Sequence, residues 1–100
     1  MDLDVGQVRA FVAVVDELNF GRAAERLYLT QQALSKRVMR LEQTLGVRLL
    51  DRGHHAVRLT DAGNGFLPHG RRLLAVADAG WAAASAGERP PCPGGLSAPC

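Results

Sequence analysis

Apolar residues recur at helical spacing through most of the first 85 positions of the chain. Val5, Val8, Val12 and Val15 follow one another at spacings of 3, 4 and 3, with Phe11 filling the stripe. That pattern predicts an amphipathic helix over roughly residues 4–17, with Asp4 able to cap its start. Asn19-Phe20-Gly21 breaks the pattern. A short helix over 21–27 follows, apolar at Ala23, Ala24 and Leu27 and polar at Arg22, Glu25 and Arg26. After a second break at Tyr28-Leu29-Thr30, a third helix runs from Gln31 to about Leu45. Its inward stripe is Leu34, Val38, Leu41 and Leu45. Thr30 is a suitable N-cap, Leu29 and Leu34 have the spacing of a hydrophobic staple, and Gly46 is placed as the terminating glycine.

Two β-prone runs come next, residues 47–52 and 56–60, with Gly53-His54-His55 between them; they read as a small hairpin. Thr60 and Asp61 open a fourth helix, the first as its cap and the second suited to the positive end of its dipole. Leu67, Leu74 and Trp81 stand seven apart, with Gly70 and Ala77 between them, and form a short coiled-coil seam reaching to about Ser85. Gly63, Gly65, Pro68 and Gly70 weaken this helix in isolation, so its stability is expected to come from packing against another chain. Residues 86–100 contain four prolines and three glycines and read as a disordered tail. The expected division is therefore a domain at 3–60, a linker helix at 61–85 and a tail at 86–100.

Composition narrows the class. Hydrophobic residues are 47% and charged residues 22%, as in an ordinary globular chain. No apolar run is long enough to span a membrane, and the first residues lack the basic flank of a secretory signal. Both cysteines, Cys92 and Cys100, fall in the tail, so the body fits a reducing cytoplasm.

The net charge is only +2, but it is unevenly placed. From Leu18 to Thr60 there are eight basic residues against three acidic ones, whereas residues 1–17 hold four acids and one base. Two helices joined by a three-residue break, the second capped and basic, suggest helix-turn-helix, and the following strand pair suggests a wing. In the third helix Gln31, Gln32, Ser35 and Lys36 share the face opposite Leu34, Val38 and Leu41. These side chains have the donors and acceptors that read base edges in a major groove, and the helix N-terminus offers N–H groups to phosphate. The pattern alone is equally compatible with a plain helical domain whose polar face is solvated.

Catalytic signatures are absent: the sequence has no nucleophile elbow, phosphate loop, zinc-protease or CxxC motif. His54-His55 lacks metal-ligand spacing. The Asp16-Glu17 carboxylates diverge by ~100° on a helix and read as solvated surface. No enzyme activity, cofactor or metal is expected.

Several strings, in order over about 80 residues, resemble the N-terminal region of LysR-type transcriptional regulators. They are residues 8–15 (VRAFVAVV), 20–27 (FGRAAERL), 30–35 (TQQALS), 40–42 (RLE), 45–50 (LGVRLL), 57–60 (VRLT) and 62–63 (AG). The resemblance implies a mostly α fold: a winged helix-turn-helix of three helices and a short β-hairpin wing, then a long linker helix that dimerises. It places base and backbone contacts at Thr30, Gln31, Gln32, Ser35 and Lys36, and phosphate contacts at Arg22 and Arg40. It places a wing from Arg52 through His55 to Arg58 near the minor groove. Many members have proline where this chain has Gln32, and arginine where it has His55.

Dimer contacts would fall on Leu67, Leu74, Ala77 and Trp81. Family members continue into a large effector-binding domain, which these 100 residues do not include, so ligand sensing is not carried over. The expected partner is double-stranded DNA, bound by a homodimer or by a heterodimer with a full-length relative. The competing expectation is a helical protein–protein module working through the seam from Leu67 to Trp81.

Overall fold

The computed structural model describes residues 2–53 and 56–87. Its elements are α1 (Val5–Glu17), α2 (Phe20–Arg26), α3 (Gln31–Leu45), β1 (Leu50–Arg52), β2 (Val57–Leu59) and α4 (Asp61–Gly87). The two strands pair antiparallel, with Leu50 opposite Leu59 and Arg52 opposite Val57. They are shorter than the apolar runs that predict them, because residues 47–49 lie before β1 and outside the ladder.

Local chemistry sets the helix ends. The Asp4 carboxylate accepts from the N–H of Gly6 at 2.7 Å and of Gln7 at 3.3 Å. Asn19, which the sequence marks only as a break, caps α2 by accepting the Arg22 N–H at 2.9 Å, so that helix begins at Phe20. Thr30 accepts the Ala33 N–H at 3.1 Å, and Gly46 ends α3 in the left-handed conformation at φ 73°. The end of α2 is less usual. The Leu29 N–H donates to the Ala24 carbonyl and the Tyr28 N–H to the Glu25 carbonyl, which is a Schellman arrangement. Its left-handed position, normally a glycine, holds Tyr28 at φ 58°.

The core is built on α1, whose Val8, Ala10, Phe11, Val12, Ala13 and Val14 are all buried. Ala23 and Ala24 of α2, Leu34, Val38 and Leu41 of α3, and Leu49 and Leu50 at the start of the wing close around it. α4 packs on the opposite side. Phe66 meets Phe11 with ring centroids 5.8 Å apart and planes tilted by 57°. Gly70 lets the helices approach, since a Cβ there would lie 3.4 Å from Val8 Cγ1.

This placement corrects the expected role of α4. Leu74 is buried in the chain's own core, and Leu67 and Leu73 pack against it. The first half of the helix therefore takes support from α1 within the single chain. Beyond Ala77 every described residue of α4 is exposed, and the helix projects from the body. Ala86 and Gly87, assigned above to the tail, are its last two helical residues. The remaining tail residues, including Cys92 and Cys100, lie outside the described residues.

Electrostatics reinforce the helix packing. Asp16 accepts from Arg71 of α4 at 2.7 Å and from Arg26 of α2 at 3.2 Å, and Arg26 also lies 3.6 Å from Glu17. The Asp16-Glu17 pair is thus not merely solvated: it joins three helices. The Arg71 hydrogen bond, aided by that of Arg26, holds the Asp16 carboxyl below the usual carboxylate range despite partial desolvation. Arg9 and Asp78 pair at 2.9 Å further along α4. Among the described residues no helix is long and apolar enough to cross a membrane.

Candidate nucleic-acid interface

The face centred on α3 is made by the helical period. Leu34, Val38 and Leu41 turn inward, which leaves Gln31, Gln32, Lys36, Met39, Arg40 and Gln43 exposed. Ser35 is half-buried on the side facing the wing. On the other flank Arg37 and Arg40 line a polar depression with Asp4 and Gln7 at the start of α1. Arg22 of α2 and Arg58 of β2 are exposed. Thr30 is also exposed, but its hydroxyl oxygen is engaged as the α3 cap.

Charge is partitioned across the molecule. Of the arginines of the body, Arg9, Arg26 and Arg71 are ion-paired with Asp78, Asp16 and Glu17, whereas exposed Arg72 makes no ion pair among the described residues. No ion pair is present at Arg22, Lys36, Arg37, Arg40, Arg48, Arg52 or Arg58 among the described residues. The Glu42 carboxylate turns away from these cations to the backbone, where it accepts the N–H of Leu49 at 2.8 Å and of Leu50 at 3.2 Å. Those bonds fix where the wing leaves α3. Sequence reading had no signal for them beyond the Arg40-Leu-Glu42 string.

Two further contacts set the wing on its scaffold. The Thr60 hydroxyl donates to the Arg48 carbonyl and accepts the Gly63 N–H at 3.0 Å, joining the wing to the first turn of α4. Arg52 crosses back toward the helices. Its guanidinium carbon lies 4.8 Å from the Phe20 ring centroid, and Nη1 donates to Ser35 Oγ at 3.2 Å. The expected minor-groove residues Arg52 and Arg58 are therefore directed differently, one inward and one outward. The third, His55, lies with His54 outside the described residues.

Met39 and Tyr28 are large side chains exposed next to this face, and the sequence reading did not select them. Met39 is 45% exposed beside Lys36, and Tyr28 is 95% exposed in the turn before α3. Exposure of a large side chain flanking a polar recognition face is the signal, and it depends on the fold. The predicted dimer residues separate into two groups: Leu67 and Leu74 pack inward, whereas Trp81 is 76% exposed on the projecting part of α4, as is Val76 at 69%. Ala77 is half-buried between them.

Three helices, a capped basic third helix and a two-stranded wing define a winged helix-turn-helix protein. Residues 5–64 match the model of the bacterial regulatory helix-turn-helix proteins of the lysR family. The chain belongs to that family. It is 50% identical, over 74 residues, to an uncharacterized HTH-type transcriptional regulator of Azotobacter vinelandii; the match covers 74% of this chain and 51% of that one. Its fold is similar to full-length OxyR of Pseudomonas aeruginosa, with a TM-score of 0.82, 36% identity, and coverage of 88% of this chain and 30% of that one. It is also similar to the CbnR DNA-binding domain in its DNA complex, with a TM-score of 0.77, 36% identity, and coverage of 87% and 100%. The chain thus spans about half of the Azotobacter relative and the whole of the isolated CbnR domain.

Proposed function

We propose that this chain is a transcriptional regulator that binds duplex DNA in the bacterial cytoplasm by inserting the N-terminal turns of α3 into the major groove. The observation that carries the reading is the charge partition. Three of the four body arginines, Arg9, Arg26 and Arg71, are ion-paired with α1 and α4 acids, and the residues around α3 are left with cations that make no ion pair among the described residues and with free amide side chains. Gln31 and Gln32 have the bidentate geometry for adenine N6 and N7, and Lys36 reaches guanine O6 and N7. Arg22 and Arg40 contact phosphate from either side, with Arg37 adding to the second group, and Arg58 approaches from the wing. The similarity to the CbnR DNA-binding domain in its DNA complex supports this reading.

The projecting half of α4 supplies the dimer contact. Val76 and Trp81 are large apolar side chains left 69% and 76% exposed near and beyond the point where α4 leaves the core. A second copy covering them would set two α3 helices on a two-fold axis, with half-sites about one or two turns of ~34 Å apart. The same seam accepts a full-length relative, giving a heterodimer. Native mass spectrometry of the two chains mixed tests this, and homodimers alone would refute it.

The DNA reading is tested by fluorescence anisotropy of residues 1–100 with random-sequence duplex across a salt series. The expected result is saturable binding whose log affinity falls steeply with log salt, by about 0.9 for each phosphate neutralised. Lys36→Ala should weaken binding and leave the dimer intact, and Trp81→Ala should weaken both. Leu74→Ala does not serve as the dimer variant, because Leu74 belongs to the core of the single chain. A folded chain that binds no duplex at low salt would refute the reading and favour a protein-interaction role for α4.

A further inference from the structure

The bridge that Arg52 makes has no part in the reading above. Arg52 is the last residue of β1, yet its guanidinium stacks over Phe20, the first residue of α2, and donates to Ser35 in α3. One side chain therefore ties together three elements of the DNA face. Its neighbours sharpen the arrangement. Gly21 leaves room for Gln31, since a Cβ there would lie 3.0 Å from Gln31 Nε2. Gln31, Arg52, Phe20 and Gly21 line a single depression between α2, α3 and the wing.

We propose that Arg52 is a positioning residue that makes Ser35 a hydrogen-bond donor toward DNA. This inference rests on the DNA-binding reading. A hydroxyl has one hydrogen and two acceptor lone pairs. The Arg52 N–H occupies one lone pair, and its positive charge draws electron density from Oγ. Ser35 is thereby a better donor and a poorer acceptor. Its hydrogen is directed to an acceptor on the duplex: a phosphate oxygen, or a base edge such as guanine O6/N7 or thymine O4. The amino groups of cytosine and adenine are disfavoured, because they would offer a second donor beside a cation. Stacking on Phe20 fixes the guanidinium plane, so the donor direction is set before DNA arrives. Arg52 then acts through Ser35 and makes no phosphate contact of its own.

The test uses duplex selected from a random library by the unsubstituted chain, with affinities measured by anisotropy across a salt series. The chains are unsubstituted, Arg52→Ala, Ser35→Ala, the double variant and Arg52→Lys, each checked for helicity by circular dichroism. Arg52→Ala and Ser35→Ala should each weaken binding roughly tenfold, the size expected of one charge-assisted hydrogen bond. The double variant should lose no more than either alone, and the salt slope of Arg52→Ala should equal that of the unsubstituted chain. Arg52→Lys should not restore affinity, because an ammonium has no planar fork to stack on Phe20. Repeating the selection with Ser35→Ala separates the two acceptor sources: preference lost at one position means a base edge, and uniform weakening means phosphate; both support the proposal.

Additive losses, a salt slope reduced by about one phosphate, and rescue by lysine would overturn it and make Arg52 a direct phosphate contact. Should Arg52→Ala fail to fold, Arg52→Lys with and without Ser35→Ala carries the same comparison. A folded, unsubstituted chain that binds no duplex overturns the DNA reading itself, and this inference with it.

Discussion

Replacing Gly63 with alanine adds one methyl group where the first turn of α4 meets the wing. That methyl would lie 2.1 Å from the Leu49 carbonyl oxygen and 2.9 Å from Leu59 Cδ2, inside the 3.0 Å that real Cβ atoms respect. The carbonyl cannot simply move away, because it accepts the Thr60 N–H at 3.0 Å. Relief requires α4 to slide from Leu49 and the wing, which also stretches the bond from the Gly63 N–H to Thr60 Oγ1. Overpacking of this kind costs about 1–3 kcal/mol and a weakened cap adds about 1, against a gain of about 1 from the better helix propensity of alanine. The expected net loss is about 2 kcal/mol.

Gly65, two residues along the same helix, is the control. Nothing lies within 4 Å of its would-be Cβ, so Gly65→Ala should keep the propensity gain and stabilise the chain by roughly 1 kcal/mol. Thermal unfolding followed by far-ultraviolet circular dichroism, at one fixed chain concentration because the proposed dimer would make the midpoint concentration-dependent, resolves the difference. A change of 1 kcal/mol moves the midpoint of a domain this size by about 4–8 °C. Midpoints that rise for both variants would refute the reasoning, since the sign at Gly63 depends entirely on the close carbonyl.

Tyr28→Gly should raise stability by about 0.5–1 kcal/mol in the same assay, because it relieves a left-handed aromatic whose side chain is nearly all in solvent; an unchanged or lower midpoint would count against the strain. Glu42→Ala should cost about 1–3 kcal/mol by stripping two N–H groups of their acceptor, and hydrogen exchange at Leu49 and Leu50 should accelerate; unchanged exchange would mean the carboxylate is not what holds β1. Asp16 has a folded pKa depressed below its unfolded value of 3.8, so its contribution is full above that value and disappears as pH falls through the lower folded pKa. Urea midpoints should therefore fall more steeply below pH ~4 for the unsubstituted chain than for Asp16→Asn, and parallel curves would dismiss the clamp.

What the sequence determined by itself was local. Asp4, Thr30 and Thr60 are caps because a short oxygen-bearing side chain reaches N–H groups two or three residues on, and Gly46 ends α3 because only glycine takes its backbone conformation without cost. The apolar stripe of α3 selected Gln31, Gln32 and Lys36 as its outward face for the same reason: a helix carries its period within itself.

The tertiary structure decided which of two possible neighbours each remaining side chain meets. The stripe of Leu67, Leu74 and Trp81 reads as one seam, but α1 lies along only its first part, so Leu74 is buried within the chain and Trp81 is left exposed. Arg52 reads as a wing cation, and the fold sets its guanidinium over Phe20 and within hydrogen-bond distance of Ser35. Asp16 reads as solvated surface, but Arg71, 55 positions away, folds back onto it. Each of these contacts joins elements distant in the chain. Their geometry comes from packing around a shared core, and no periodicity within one helix encodes it.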